Sequence, residues 1–300
     1  MKRLLYIYNP NAGQQRSRSI LSEVLEIFSG QGYELTVQPT TGPGHATEVT
    51  RQLAPSHDRL VCCGGDGTLN EVVTGLLSLP EELRPPLGYL PMGSTNDFSR
   101  SLGLPRSTKA LAQLAGGDGP IRRIDVGSSS GRLFTYVSAF GLFTDTSYST
   151  PQNMKNFLGH FAYLLEGAGQ LARIPCCSMT VTADGEEKAQ GEFIYGMVGN
   201  TVSVGGIMNL PRKLVKLDDG RFEVLLVRKP HNLKDWQDIL STLTHLNLPL
   251  DGSVVALPAS EVTFSCDKPV AWTVDGEFGG ERQETVVKVL PQALSIVCGS

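Results

Sequence analysis

The stretch Arg59-Leu60-Val61-Cys62-Cys63-Gly64-Gly65-Asp66-Gly67-Thr68-Leu69-Asn70-Glu71 decides the fold. Arg59–Cys63 is a short apolar run ending in turn residues, which predicts a buried strand. Leu69–Leu77 has the apolar spacing of a helix. Between them, Gly64-Gly65-Asp66-Gly67-Thr68 packs three glycines, a carboxylate and a hydroxyl into one turn. Two glycines suffice for a tight strand-to-helix turn. A third, beside Asp and Thr, points to backbone that closely approaches a phosphate, with the next helix's N–H groups aimed at the anion. Such turns lie outside the carboxyl ends of strands, where α/β sheets bind ligands. Asp66 would repel phosphate unless a divalent cation or an active-site base is involved.

The same alternation extends outward. Leu4–Tyr8, Tyr33–Gln38 and Leu87–Leu90 read as strands, and Ser19–Phe28 and Ala46–Leu53 as helices. The pattern predicts an α/β domain with a mostly parallel, Rossmann-like sheet. Asn9-Pro10-Asn11-Ala12-Gly13, backed by Arg16 and Arg18, follows the first strand. Pro91-Met92-Gly93-Ser94-Thr95-Asn96-Asp97-Phe98 follows Leu87–Leu90 and repeats the chemistry of Gly64–Thr68 one unit later. The three loops are expected to line one crevice. Neither a Walker A sequence nor a full GxGxxG is present.

Near residue 125 the rhythm changes. Ile124–Gly127, Leu133–Phe140, Ser178–Ala183, Glu192–Gly199, Phe222–Arg228, Ser253–Leu257, Glu261–Ser265, Val270–Val274 and Thr285–Leu290 are strand-like, which predicts an antiparallel β domain. Helices are expected near Asn156–Leu171 and over Leu233–Leu246, the latter with Trp236, Ile239, Leu240, Leu243 and Leu246 on a core-facing stripe. Two acidic turns, Leu217-Asp218-Asp219-Gly220 and Val274-Asp275-Gly276-Glu277, join Asp66, Asp97 and Asp125 as carboxylates able to organise Mg²⁺ and supply a base. Gly127-Ser128-Ser129-Ser130-Gly131 has the form GxSxG, but its flanks read as two strands. It is therefore a hairpin loop, not a nucleophile elbow.

Glycine supplies 33 of the 300 residues, well above the ordinary usage of about 7%. With 30 acidic against 26 basic residues, the net charge of -4 lacks the footprint of a nucleic-acid binder. The six cysteines show no CxxC or Cys/His ligand spacing, and two pairs are sequence neighbours, so reduced thiols in a cytoplasmic chain are expected. The longest uncharged run, Phe193–Pro211, is too rich in Gly and Asn to span a membrane. A soluble protein is expected, at most peripheral to the inner face of a membrane.

In order and spacing these motifs resemble the diacylglycerol-kinase catalytic-domain family, specifically the soluble bacterial lipid kinases of the YegS/BmrU/DgkB type. The resemblance rests on Asn9–Gly13, Gly64–Thr68 with Leu69-Asn70-Glu71, Gly93–Phe98, Asp219-Gly220 and Asp275-Gly276-Glu277. It implies an ATP-binding α/β domain over 1–125, of the NAD-kinase/phosphofructokinase type. It also implies a β-sandwich domain over 126–300 whose last segment, about 286–300, returns to the first, with ATP in the cleft between them. Nucleotide contacts carry over to Asn9, Pro10, Asn11, Ala12, Gly13, Thr40, Gly65, Asp66, Gly67, Thr68, Leu69, Asn70, Glu71, Ser94 and Asp97. Mg²⁺ carries over to Asp219 with the Lys216 and Arg221 carbonyls, and Asp66, Asp97 and Asp125 to a carboxylate–water–Mg²⁺ network. The base falls on Glu277 or Asp275. Ser94 stands where Thr is commoner, His45 replaces a frequent acidic residue, and the adjacency of Asp218 to Asp219 leaves two candidates for the metal carboxylate.

The expected activity is therefore ATP- and Mg²⁺-dependent phosphorylation of a diacylglycerol-like hydroxyl. The expected partner is a lipid substrate at a membrane surface, with a homodimer left open. A NAD kinase-like phosphotransferase shares Gly64–Thr68 but does not predict Gly93–Phe98. An inactive nucleotide- or lipid-binding regulator does not require the full set of carboxylates found here.

Overall fold

The computed structural model describes residues 1–13, 15–93, 96–117, 119–142, 174–201, 203–204, 208–209, 216–245 and 252–299. They form two compact units, Met1–Asp125 with Gln292–Ser300, and Val126–Pro291.

In the first unit, strands β1 (Lys2–Tyr8), β2 (Tyr33–Pro39), β3 (Arg59–Gly64) and β4 (Leu87–Pro91) pair in parallel in the order β2-β1-β3-β4. Leu4–Ile7 and the whole of β3 are buried, as a sheet covered on both faces requires. Helices α1 (Arg16–Ser19), α2 (Leu21–Gly30), α3 (His45–Leu53), α4 (Asp66–Leu77), α5 (Asp97–Ser101) and α6 (Thr108–Gly116) complete the unit. Tyr6, Val24, Phe28, Val61, Leu90 and Leu111 form part of one core cluster.

Helix α4 begins at Asp66, three residues before the expected Leu69, because Gly65 takes the extended N-cap position and its carbonyl already accepts the Leu69 N–H at 3.0 Å. The glycine turn is thus shorter than its sequence implied, and Asp66, Gly67 and Thr68 are the helix's first turn. Helix α6 escaped the sequence reading because its buried face, Leu111, Ala112 and Ala115, is mostly alanine and gives a faint apolar stripe.

The chain leaves this unit within β5 (Ile121–Ser129). The second unit holds β6 (Arg132–Phe134), β7 (Val137–Gly141), β8 (Cys177–Ala183), β9 (Glu186–Gly199), the short pair β10 (Ser203–Val204) and β11 (Met208–Asn209), and β12 (Phe222–Arg228). Helix α7 (Leu233–His245), β13 (Val254–Ala259), β14 (Glu261–Val274) and β15 (Glu277–Val297) follow. In this unit β12 pairs with β9 and β13, β14 with β7, β8 and β15, β9 with β7 and β8, β5 with β6 and β10 with β11, all antiparallel.

Two long strands organise it. The first part of β9 pairs with β8 and the last with β7 and β12, while β14 pairs with β8 early and β7 late. Register shifts in the β8–β9 and β14–β15 ladders lie along the same strands. This is how a ribbon bends from one layer of a β-sandwich into the other. Phe134, Phe140, Phe193, Phe222, Phe264 and Trp272 fill the core.

Several strands differ from the sequence reading. Glu261–Ser265 and Val270–Val274 are one strand, β14, and β9 and β15 extend well beyond their apolar cores. Leu133–Phe140 instead breaks at Thr135-Tyr136. The Gly127–Gly131 segment is a hairpin turn, with Ser129 paired to Arg132. The helix expected near Asn156–Leu171, and the side chains of Leu240, Leu243 and Leu246, lie outside the described residues; Trp236 and Ile239 are buried. All six cysteines are free thiols.

Candidate functional site

In the first unit the loops after β1, β3 and β4 touch one another. The Asn9 N–H donates to the Cys63 carbonyl at 2.9 Å, and the Met92 N–H donates to the Gly64 carbonyl at 2.8 Å. Asn9 Nδ2 donates to Thr68 Oγ1 at 3.3 Å. A side chain at Gly13 would put its Cβ 2.8 Å from the Met92 carbonyl oxygen, and Gly13 has φ +60°. A Cβ on Gly93 would lie 3.2 Å from the Gly65 Cα. The glycines therefore allow backbone-to-backbone approach, which side chains would prevent. The first turn of α4 opens into this cluster, and a helix's first turn leaves N–H groups without intrahelical partners.

The strand ends also carry Thr40, whose N–H donates to the Tyr8 carbonyl at 2.9 Å. Asp66 opens α4, and the Tyr89 hydroxyl lies 3.5 Å from its Oδ1. Asp125 is fully buried and accepts the Gln292 N–H at 2.7 Å. Asp97 starts α5, with its side chain outside the described residues, as is Ser94. Asn70 is half-buried on α4, whereas the Leu69 side chain is fully buried in the core.

Glu71 is committed to a neighbouring helix. Its two carboxylate oxygens accept the Gly44 N–H at 2.8 Å and the Ala46 N–H at 3.0 Å, and its carbonyl accepts Thr47 Oγ1. It caps α3 from α4. Sequence reasoning also missed Ser17, which is fully buried and donates to the Asn9 carbonyl at 2.6 Å. A lone serine behind a loop offers no pattern that would single it out.

In the second unit the Asp275-Gly276-Glu277 turn separates two carboxylates by environment. Asp275 is buried, and Oδ2 accepts the Thr135 N–H (2.7 Å) and Oγ1–H (3.0 Å) while Oδ1 accepts the Tyr136 and Val137 N–H groups (both 3.1 Å). This explains the break between β6 and β7: the N–H groups of 135–137 turn towards a side chain. Glu277 is exposed, and its Oε2 pairs with Arg132 Nη2 at 2.7 Å; Arg132 Nη1 donates to the Phe278 carbonyl.

At the other acidic turn, Asp219 is exposed and its Oδ1 accepts the Arg221 N–H at 3.1 Å. Glu223 Oε2 is buried with no hydrogen-bond partner. Burial pushes its carboxyl up to about 8, and the charge of Asp219 adds to the effect. An orphaned carboxylate oxygen beside a second carboxylate is an arrangement that a cation fits. Among the described residues no group of three or more His, Cys, Asp or Glu side chains could hold a metal ion.

The chain is similar to known proteins over nearly its whole length. Residues 3–129 match the diacylglycerol kinase catalytic domain, and residues 144–298 match the YegS C-terminal NAD kinase beta sandwich-like domain. A diacylglycerol kinase of Bacillus subtilis is 34% identical over 284 residues, covering 93% of this chain and 91% of the relative. The chain belongs to the diacylglycerol kinase family. A diacylglycerol kinase of Staphylococcus aureus (strain MRSA252) is 34% identical over 281 residues, covering 93% and 87%. The fold is shared with a crystal structure of a diacylglycerol kinase from Bacillus anthracis (TM-score 0.76, 23% identity, 99% of this chain and 97% of that one). It is shared more distantly with an Archaeoglobus fulgidus NAD kinase in complex with ATP (TM-score 0.56, 12% identity, 98% and 93%). Both family profiles fall on this one chain, so the family's two modules are present. Among the described residues no helix is long and apolar enough to cross a membrane.

Proposed function

We propose that the protein transfers the terminal phosphoryl group of ATP to the hydroxyl of a diacylglycerol-like lipid, giving a phosphatidate-like product. The observation that carries this reading is the close approach of Gly65, the N-cap of α4, to Gly93, with Gly13 packed on the neighbouring Met92 carbonyl, in a chain of this family. Residues 1–125 are assigned to ATP. The Gly13 N–H and the N–H groups of Gly65–Thr68 hold the phosphates, the Asn9–Ala12 turn spends its own N–H groups on fixing the loop, and Thr40, Asn70 and Ser94 flank the site. Glu71 shapes this site through α3. The sheet is read as Rossmann-like, of the phosphofructokinase type, and residues 126–300 are assigned to the lipid acceptor.

Phosphoryl transfer needs positioning and charge neutralisation more than covalent chemistry from the protein. Mg²⁺ would be held by Asp219 with the carbonyls of Lys216 and Arg221, with Glu223 beside it, and by the Asp66, Asp97 and Asp125 network. It supplies positive charge when bound. Glu277 is the base that accepts the lipid hydroxyl's proton. Asp275 is unsuited to that role, because both its oxygens already accept two hydrogen bonds each. Its part is to fix the turn that carries Glu277. The protein works peripherally at a membrane surface, where its substrate resides.

The test is transfer from γ-labelled ATP, with Mg²⁺, to diacylglycerol in mixed vesicles and to NAD in parallel. Label in phosphatidate supports the reading. Label in NAD alone, or ATP binding with no transfer to any lipid, overturns it.

A further inference from the structure

Phe278 directly follows the proposed base and is 66% exposed. Scattered exposed apolar side chains are ordinary on protein surfaces. Three observations set this one apart. It sits at a hairpin tip, where Val274 pairs with Glu277 and Thr273 pairs with Phe278. The pleat therefore sends the Glu277 carboxylate and the Phe278 ring to opposite sides of the ribbon. Arg132 pins both residues, through the Glu277 carboxylate and the Phe278 carbonyl. The ring is thus held out on anchored backbone.

A base that serves a lipid must reach a hydroxyl at the boundary between headgroups and acyl chains. The tip carries a group suited to each layer of that boundary. An aromatic ring prefers this boundary, a guanidinium suits anionic headgroups, and a carboxylate belongs on the polar side. We propose that Phe278 is the interfacial anchor of this enzyme. In this proposal its ring enters the bilayer surface and sets the depth at which Glu277 meets the substrate hydroxyl. The inference rests on the lipid-kinase reading and names the side chain that carries that site to its substrate.

The full-length protein with Phe278→Ser or Phe278→Trp tests it. Vesicles of phosphatidylcholine and phosphatidylglycerol containing dioleoylglycerol provide the surface, and a short-chain diacylglycerol below its aggregation limit provides a monomeric substrate. Phe278→Ser is expected to weaken co-sedimentation with vesicles about tenfold and to raise the apparent KM for vesicle diacylglycerol by a similar factor. The change on the monomeric substrate should be several-fold smaller. In Phe278→Trp the new fluorophore should shift to the blue on vesicle addition and be quenched by brominated acyl chains, against the buried Trp236 and Trp272.

Equal losses on both substrates, absence of quenching, or a blue shift produced by ATP without vesicles would overturn the proposal, the last by showing the ring packed on protein. Insertion of the Phe278→Trp ring with no phosphorylation of any diacylglycerol by the unmodified protein would sink the kinase reading alone. Active kinase with an uninserted ring would sink the anchor alone.

Discussion

Asp275 and Glu277 are two residues apart, yet their surroundings assign them opposite work. Asp275→Asn turns an acceptor of four hydrogen bonds into a group that must point N–H atoms at N–H donors. Leaving buried donors unsatisfied costs about 1–3 kcal/mol each, so a large loss of stability is expected. Glu277→Gln alters an exposed side chain and should leave the melting temperature nearly unchanged while lowering kcat by roughly 10²–10⁴-fold. Thermal melts and single-turnover transfer, measured on both variants, check the division of labour. A stable Asp275→Asn protein with abolished kcat would reverse it. The thiols give a pH-dependent prediction. Burial pushes Cys266 up to about 11, with Cys177 and Asp267 acting in the same direction. Only the thiolate is alkylated, so its labelling rate should climb about tenfold per pH unit from pH 8 to 10 without a plateau. Site-resolved mass spectrometry of iodoacetamide adducts reads this, and a plateau by pH 9 would contradict it. The Asp-Gly-Glu segment was legible as an acidic turn. Which carboxylate is buried was not, because the donors at 135–137 are well over a hundred residues away.

At the scale of elements, the glycine turn was the clearest signal, and its neighbours in space were the least clear. Strands β1, β3 and β4 could be read because their buried stretches are nearly all apolar, and β2 because its residues alternate, whereas the break between β6 and β7 depends on a side chain from elsewhere in the chain. The same kind of remote contact joins α4 to α3. Glu71→Gln keeps one acceptor and turns an amide donor towards the second N–H of the α3 N-terminus. A lost cap of this kind costs about 1 kcal/mol. The expected result is a melting temperature lower by a few degrees and a raised KM for ATP with kcat much less affected, since the damage reaches the site through Gly44 and the backbone leading back to Thr40. Gly13→Ala strains the loop more directly. It places an L-residue at φ +60° and pushes against the Met92 carbonyl. With roughly 1–2 kcal/mol of backbone strain, KM for ATP should rise about tenfold. Isothermal titration of ATP against both variants separates the two, and unchanged affinity in Gly13→Ala would remove that loop from the phosphate site.

At the scale of the whole molecule, the first unit is discontinuous in sequence: its last residues arrive after the chain has completed the second unit. The end of β15 pairs Ile296 with Leu87 of β4, the Cys298 N–H donates to the Pro120 carbonyl at 2.9 Å, and the Arg123 Nε donates to the Gln292 carbonyl at 2.9 Å. Leu294, Ile296 and Val297 are almost wholly buried there. Composition shows a two-part chain but gives no sign of this return, because an apolar strand looks the same whichever sheet receives it. Burial of three such side chains contributes about 5–9 kcal/mol, comparable to the total stability of a typical domain. A protein ending at Pro291 should therefore lose the packing of the first unit, and with it ATP binding, even though every phosphate-loop residue is retained. Near-UV circular dichroism and ATP-dependent thermal shift read the outcome. A truncated protein that still gains thermal stability from ATP would mean that β1 to β4 hold the nucleotide site without their last partner strand.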